Sequence, residues 1–166
     1  MSKPKVVFLD RATIPSQISL KALSFEHEWV EYDFTQPNQV AERIADAEIV
    51  ITNKVVLNAS NLSSAAKLRF IAVSATGVNN IDLEYCQGNG ISVSNIQGYA
   101  TQSVPEHVIA MLFALKRNLK GYHQDIERDV WQRDKQFCFF THPIQDIAGS
   151  TLGILGSGSL GQATAV

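Results

Sequence analysis

Short apolar blocks alternate with helical patterns along the first hundred residues, and this alternation predicts an α/β fold. Each apolar run is followed by turn residues and then by a segment whose apolar positions follow helical spacing. The predicted strands are residues 6–9, 28–32, 49–52, 70–73 and 91–94. The predicted helices are residues 17–23, 39–45, 62–68 and 82–87, the last one capped by Asp82. Because buried strands separated by helices are typical of parallel sheets, we expect a parallel sheet covered on both faces.

This alternation stops near residue 100, where a longer helical pattern runs from residue 103 to 119. Ser103 is the expected N-cap, Pro105 suits the first turn, and Glu106 could complete a capping box. Apolar residues lie nearly all round this helix, which predicts that it is buried between two bodies.

We therefore predict two domains, residues 1–100 and residues 101–166. In the second domain, residues 128–148 lack periodicity and contain several aromatic side chains. A long aromatic connection of this kind usually packs against something, and a subunit interface is one interpretation.

The composition indicates a soluble globular protein. Of the 166 residues, 45% are apolar and 18% are charged, which is enough apolar material for a core. The net charge of −2 gives no electrostatic reason to expect nucleic acid or a membrane surface as a partner. The longest apolar run, residues 108–115, is too short to cross a bilayer, and residues 1–10 resemble a first strand more than a signal peptide. We expect a cytoplasmic protein.

Cysteine and histidine spacing predicts no metal site. Cys86 and Cys138 are far apart and belong to no ligand motif, and the four histidines are scattered. We interpret both cysteines as reduced thiols.

Two loops that follow predicted strands could bind a small carboxylate. Ligands of parallel sheets bind beyond the carboxyl ends of the strands, where Lys54 follows the third strand and Gly77 the fourth. Gly77 would let successive N–H groups point the same way, and Lys54 would add positive charge. The alternative is purely structural: Gly77 makes a turn, Asp82 caps a helix and Lys54 is a solvated charge. Asp10, after the first strand, resembles the acidic pocket of receiver domains, but Thr52 and Asn53 stand where such a domain carries its phosphate acceptor.

A glycine-rich turn closes the chain. Residues 152–155 predict a short buried strand, which leads into G-x-G-x-x-G at Gly156, Gly158 and Gly161 and then into a helix. In this context Gly156 permits the tight turn, Gly158 lets the backbone approach a pyrophosphate, and Gly161 lets helix and strand pack closely. The helix N-terminus would offer N–H groups to the phosphates.

Three blocks in this order resemble the D-isomer-specific 2-hydroxyacid dehydrogenase family over essentially the whole chain. They are ATGVNNID at residues 75–82, SVPEHVIAMLFAL at 103–115 and GSTLGILGSGSLG at 149–161. Residues 98–107 are most similar to bacterial glycerate dehydrogenases, also called hydroxypyruvate reductases. The resemblance implies a flavodoxin-like parallel-sheet substrate domain, followed by an interdomain helix and the first part of a Rossmann NAD-binding domain.

The resemblance also implies roles for individual residues. A small 2-hydroxy or 2-keto carboxylate, with glycerate and hydroxypyruvate as the best match, would contact Lys54, Thr76, Gly77 and Val78. The cofactor would contact Thr76, Thr101, Gly156, Gly158, Ser159, Leu160 and Gly161. The chain does not distinguish NAD from NADP, because the acidic residue that does so is expected about 20 residues further on. A homodimer is the expected assembly.

The chain departs from the family at Asn79, where Asp is frequent, and at Pro105, where a small residue is usual. The family's catalytic Arg, Glu and His belong to later segments, so no catalytic residue is assigned here. His107, His123 and His142 are in the wrong segments for the catalytic histidine. We therefore expect no turnover from this chain on its own. The alternative function is a dinucleotide-binding interaction module, because transcriptional co-repressors share this scaffold.

Overall fold

The structure is a computed structural model that describes residues 3–166. Five short runs, apolar in the three central strands and more polar in the two outer ones, form one sheet. The strands are β1 (Lys5–Phe8), β2 (Glu28–Glu31), β3 (Ile49–Thr52), β4 (Phe70–Val73) and β5 (Ser92–Asn95). All neighbouring strands are parallel, and their order is β2-β1-β3-β4-β5. This order is that of flavodoxin-like folds, so the predicted α/β fold class is confirmed.

The core lies between the sheet and three short helices. These are α1 (Val40–Ile44), α2 (Ala59–Leu62) and α3 (Leu83–Gly88). Val7 and Leu9 from the first strand and its end are fully buried, as is Ile71 in β4. Each fully buried aliphatic side chain contributes about 1.5–3 kcal/mol relative to an exposed one. Helices this short are unstable in isolation, so contact with this core is what maintains them.

The helix predicted at residues 17–23 is wrong. The chain is irregular there, and Ile18 and Leu20 are exposed. The Arg11 guanidinium donates to the carbonyl oxygens of Ile14 at 2.7 Å and Ile18 at 3.2 Å. These bonds hold the carbonyl groups in a non-helical path.

The helix predicted at residues 62–68 begins and ends earlier, as α2. A reciprocal capping box sets its start: Asn61 N–H donates to Asn58 Oδ1, and Asn58 N–H donates to Asn61 Oδ1. The sequence interpretation overlooked this Asn-x-x-Asn pattern. By contrast, Asp82 caps α3 as predicted, accepting the N–H of Tyr85 at 2.9 Å.

The chain divides into two compact units, the second of which extends from Gly98 to Val166. It is helical, with α4 (Ser103–Lys116), α5 (Leu119–Glu127), α6 (Val130–Asp134) and α7 (Ser159–Ala165). The helix predicted to run to residue 119 is interrupted after α4, because Asn118 has a left-handed backbone with φ of 52°.

The predicted N-cap at Ser103 is also wrong. Ser103 is the first residue of α4, Gln102 occupies the cap position, and no side chain caps the helix. The N–H of Glu106 donates to the Gln102 carbonyl instead.

Burial of the long helix is not observed. None of the residues of α4 is buried, and Met111, Phe113 and Leu115 are exposed. Because its apolar side chains point in all directions, packing against α5 and α7 covers only part of its surface.

The predicted strand at residues 152–155 is not formed. The segment makes no strand pairing, and Leu152, Ile154 and Leu155 are exposed. A strand needs a neighbour for its N–H and C=O groups, and the described part of the second unit contains no other strand.

A buried carboxylate joins α5 to the aromatic segment that follows α6. Asp125 accepts a hydrogen bond from Thr141 Oγ1, and His142 Nε2 lies 3.0 Å from its Oδ2 atom. Tyr122 lies edge-on to the His142 ring and donates its hydroxyl to the His142 carbonyl at 2.8 Å. The Phe139 ring packs against Tyr122 at a centroid distance of 5.5 Å. We refer to Tyr122, Asp125, Thr141 and His142 as the α5 latch.

Within residues 3–166, none of the helices combines the length and the apolar character that crossing a bilayer requires. The same residues contain no group of three or more His, Cys, Asp or Glu side chains arranged to hold a metal ion.

The α5 latch gives a stability prediction. Replacing His142 with Ala removes the imidazole that lies 3.0 Å from the buried Asp125 carboxylate and packs on Tyr122, so we expect the unfolding free energy to fall by about 1–3 kcal/mol. Hydrogen exchange of the α5 amide groups measures this loss. The control is His123→Ala, because the exposed His123–Glu127 pair should contribute within about 0.5 kcal/mol. Equal losses in the two variants would contradict the role of the latch.

The two thiols should differ in reactivity. Burial raises the pKa of Cys86, and the negative charge of Asp82 raises it further, whereas Cys138 is exposed. Since the thiolate is the reactive form, we expect iodoacetamide at mildly alkaline pH to label Cys138 first. Mass spectrometry of timed samples should show one label on the native chain and two in denaturant. Early labelling of Cys86 in a Cys138→Ser variant would contradict this expectation.

Candidate functional site

The carboxyl ends of the five parallel strands meet at one edge of the sheet, which places the loops after them side by side. Thr52 at the end of β3 is in register with Val73 at the end of β4. The N–H of Ser74 donates to the Thr52 carbonyl at 2.9 Å and continues this pairing beyond the strands. The Lys54 loop and the loop that contains Gly77 are therefore neighbours.

Hydrogen bonds join these two loops directly. Asn80 Nδ2 donates to the Val55 carbonyl at 3.0 Å, and the Leu57 N–H donates to the Asn80 carbonyl at 2.8 Å. The Asp82 N–H donates back to the Leu57 carbonyl at 2.8 Å, alongside a parallel bridge between Leu57 and Ile81. The two predicted substrate loops are thus a single hydrogen-bonded assembly.

The loop after β4 presents three successive N–H groups, those of Thr76, Gly77 and Val78. Within residues 3–166, none of the three donates a hydrogen bond. Asn95 Nδ2, at the end of β5, donates to the Thr76 carbonyl at 2.7 Å and holds the loop from the other side. Unpaired successive N–H groups can bind an anion, and here they stand where a parallel sheet binds ligands.

Gly77 lies close to one neighbouring side chain. Its backbone does not adopt the left-handed conformation that favours glycine. A Cβ atom at this position would instead lie 3.1 Å from Asn79 Oδ1. The close approach of the Asn79 side chain is what a larger residue would disturb.

Lys54 lies on the exposed side of its loop. Its ammonium forms no ion pair with any of the described residues, so its charge is available to a ligand. Its backbone N–H donates to Asp10 Oδ2 at 2.7 Å. Sequence analysis gave Asp10 no role here. The sequence signal that could have indicated this role was an acidic residue directly after a buried strand.

The glycine turn has the geometry that its motif predicts, although no strand precedes it. Gly156 has φ of 105°, which favours glycine. A Cβ on Gly161 would lie well inside contact distance of the Gly156 carbonyl oxygen and 3.1 Å from its carbonyl carbon. A Cβ on Gly158 would meet nothing within 4 Å. The turn is therefore closed on the Gly161 side and open on the Gly158 side.

The remaining predicted cofactor residues are also in the second unit. Ser159 and Leu160 form the first turn of α7, whose N–H groups have no acceptor within the helix. Thr101 precedes α4 and donates its hydroxyl to the Gly98 carbonyl at 2.9 Å.

The histidines do not form a catalytic arrangement in the described part of the chain. His142 belongs to the α5 latch, and His123 pairs with Glu127 on the surface. His27 contacts the Phe25 carbonyl, and His107 is exposed on α4.

Residues 6–155 match the family model "D-isomer specific 2-hydroxyacid dehydrogenase, catalytic domain". The chain belongs to the D-isomer-specific 2-hydroxyacid dehydrogenase family. This assignment confirms the resemblance found in the sequence and places the chain in a family of oxidoreductases.

Individual members of the dehydrogenase family agree with the assignment. A glycerate dehydrogenase of Methylorubrum extorquens is 44% identical over 162 residues, covering 97% of this chain and 51% of the relative. A hydroxypyruvate reductase of Blautia hydrogenotrophica is 34% identical, covering 96% of this chain and 51% of the relative. The chain spans about half the length of the curated relatives it matches.

Solved structures of the dehydrogenase family have the same fold. A D-lactate dehydrogenase of Aquifex aeolicus, complexed with NAD and lactic acid, is 25% identical with a TM-score of 0.65. The match covers 96% of this chain and 46% of that structure.

The glycine turn gives a prediction about the close packing at Gly161. Gly161→Ala should force the Gly156 carbonyl to move, at a cost of about 1–3 kcal/mol, and should weaken hydrogen-exchange protection in α7. Gly158→Ala is the matched control, because its Cβ meets open space and its φ of −71° suits alanine. Equal protection of α7 in both variants would contradict the close approach at Gly161.

Proposed function

We propose that this chain provides the substrate-carboxylate site and the start of the dinucleotide site of a D-2-hydroxyacid dehydrogenase acting on glycerate and hydroxypyruvate. One observation carries the proposal: the three unpaired N–H groups of Thr76, Gly77 and Val78 lie on a loop bonded to the Lys54 loop. The names of the glycerate dehydrogenase and hydroxypyruvate reductase relatives support this choice of substrate.

The proposed roles follow from charge and hydrogen-bonding capacity. A carboxylate accepts hydrogen bonds and carries negative charge, so it matches unpaired N–H groups with a nearby ammonium. The loop N–H groups would fix the position of the carboxylate, and Lys54 would offset its charge. Because Asn95 and Asn80 hold the loop from both sides, the N–H groups are positioned before the substrate arrives.

NAD(H) or NADP(H) is the proposed cofactor, and its bound nicotinamide would supply or accept the hydride. On the protein side, Gly158 would let the pyrophosphate approach the backbone. The N–H groups of Ser159 and Leu160 would donate to it, while Gly156 and Gly161 shape the turn. Thr101, and Thr76 beside the carboxylate, would contact the cofactor near its reacting end.

Proton transfer is not assigned to a residue of this chain. The family's acid–base reaction needs a histidine beside the substrate, and the contacts of His142, His123 and His27 give them other roles. The homodimer expected from the sequence and the alternative of a co-repressor-like interaction module both stay predictions.

Lys54 provides the direct test. Lys54→Met keeps the length of the side chain but removes its charge, so we expect affinity for hydroxypyruvate to fall about tenfold, which is about 1.4 kcal/mol. Amide NMR titration of the 166-residue chain measures this affinity and shows whether the Thr76, Gly77 and Val78 signals shift. Lys67→Met removes an exposed lysine elsewhere on the first unit and is the matched control.

We expect shifts at these three amide groups in the unmodified chain and in the control. The absence of shifts there, or equal affinity in both variants, would contradict the proposed carboxylate site. Loss of NADH absorbance at about 340 nm should not accompany binding, because the residues of the proton-transfer step are not assigned in this chain.

A further inference from the structure

Asp10 carries a carboxylate that is buried at the end of β1. It is 4% exposed and forms no ion pair within residues 3–166. Removing a charged group from water is costly unless hydrogen bonds replace its hydration. The groups that donate hydrogen bonds to this carboxylate are therefore the groups whose positions it fixes.

Those contacts all come from three consecutive residues at the end of β3, Thr52, Asn53 and Lys54. The Asn53 N–H reaches Oδ1 and Oδ2 of Asp10 at 2.9 and 3.0 Å, and the Lys54 N–H reaches Oδ2 at 2.7 Å. The Thr52 hydroxyl lies 3.3 Å from Oδ2 and also accepts the N–H of Val55 at 3.1 Å. One carboxylate thus determines the backbone path of residues 52–55.

A carboxylate suits these hydrogen bonds better than the isosteric amide, because the Asn53 N–H reaches both of its oxygens. Ionised Asp accepts through two oxygens, whereas Asn has one accepting oxygen and an amide group that donates. In Asp10→Asn, the single oxygen can take the Oδ2 position and accept from Lys54, and the NH2 group then stands at the Oδ1 position against the Asn53 N–H. The loop would then lose part of its support without any change in side-chain volume.

The loop that Asp10 holds carries the unpaired charge of Lys54. Both residues line a cavity of about 660 Å³, whose other walls come mostly from residues 34–41 and 55–61 and do not include Thr76, Gly77 or Val78. Lys54 has a long flexible side chain, so the position of its ammonium depends on the placement of its own backbone. Fixing the Lys54 backbone reduces the volume that the ammonium samples.

We propose that Asp10 is a positioning residue that holds the Lys54 loop so that the Lys54 ammonium meets the substrate carboxylate. This inference rests on the proposed function of Lys54. Asp10 itself does not touch the substrate. Replacing Asp10 should therefore change substrate affinity only when Lys54 is present. A general loss of stability would change the affinity whether or not Lys54 is present.

A double-mutant cycle in the 166-residue chain tests the dependence. Hydroxypyruvate affinity is measured by amide NMR titration for Asp10→Asn, Lys54→Met and the double variant. We expect each single substitution to weaken binding about tenfold, and the double variant to bind no more weakly than Lys54→Met alone. Asp33→Asn, an exposed acid after β2, is the control and should leave affinity unchanged.

Three outcomes are informative. Weaker binding by Asp10→Asn that disappears in the Lys54→Met background supports the proposal. Unchanged binding by Asp10→Asn, or losses that add in the double variant, would overturn it while leaving the carboxylate site intact. Failure of the unmodified chain to bind hydroxypyruvate would overturn the proposed function, and this inference with it.

A second variant covers the case in which Asp10→Asn does not fold. Thr52→Val preserves shape but removes the hydroxyl that joins Asp10 to the Val55 N–H. We expect it to weaken hydroxypyruvate binding several-fold, again only when Lys54 is present. An effect of equal size in the Lys54→Met background would contradict the proposal that the effect of Asp10 depends on Lys54.

Discussion

Parallel pairing of β1 with β3, and of β3 with β4, is the constraint on which the candidate site depends. Parallel strands all end at the same edge of their sheet, and the register of Thr52 with Val73 brings their following loops together. A slip of one residue would reverse the faces of a whole strand, moving buried side chains such as Val50 and Ile71 out of the core. The apolar core therefore fixes the site indirectly, by allowing only one register.

The order of elements in the first unit could be predicted because its signals are local. Runs such as those of β3 and β4 are apolar, short and bounded by turn residues, and Asp82 is an unambiguous cap. The local pattern at residues 17–23 predicted a helix equally well, and that prediction was wrong. The Arg11 guanidinium reaches the Ile18 carbonyl from outside this segment, and helical periodicity does not record such a contact.

The candidate site was predictable in part for the same reason. Lys54 and Gly77 were found because residues after parallel strands share an edge. Asp10 was missed, since its importance comes from donors 43 and 44 residues away along the chain. At Gly77 the structure adds a close approach of the Asn79 side chain, and such approaches are not visible in a turn pattern. The strand before Gly156 failed because strand formation depends on a neighbouring strand, which a local apolar run does not provide.

The sheet ends on β2 and β5, and both outer strands are unusually polar for a buried parallel sheet. Glu28 and Glu31 begin and end β2, while β5 alternates exposed Ser92 and Ser94 with half-buried residues. Outer strands leave N–H and C=O groups free to pair with other chains, and charge or polarity there disfavours such pairing. The sheet that brings its strand ends to one edge therefore has polar outer strands, and their polarity disfavours pairing of the sheet edges with other chains.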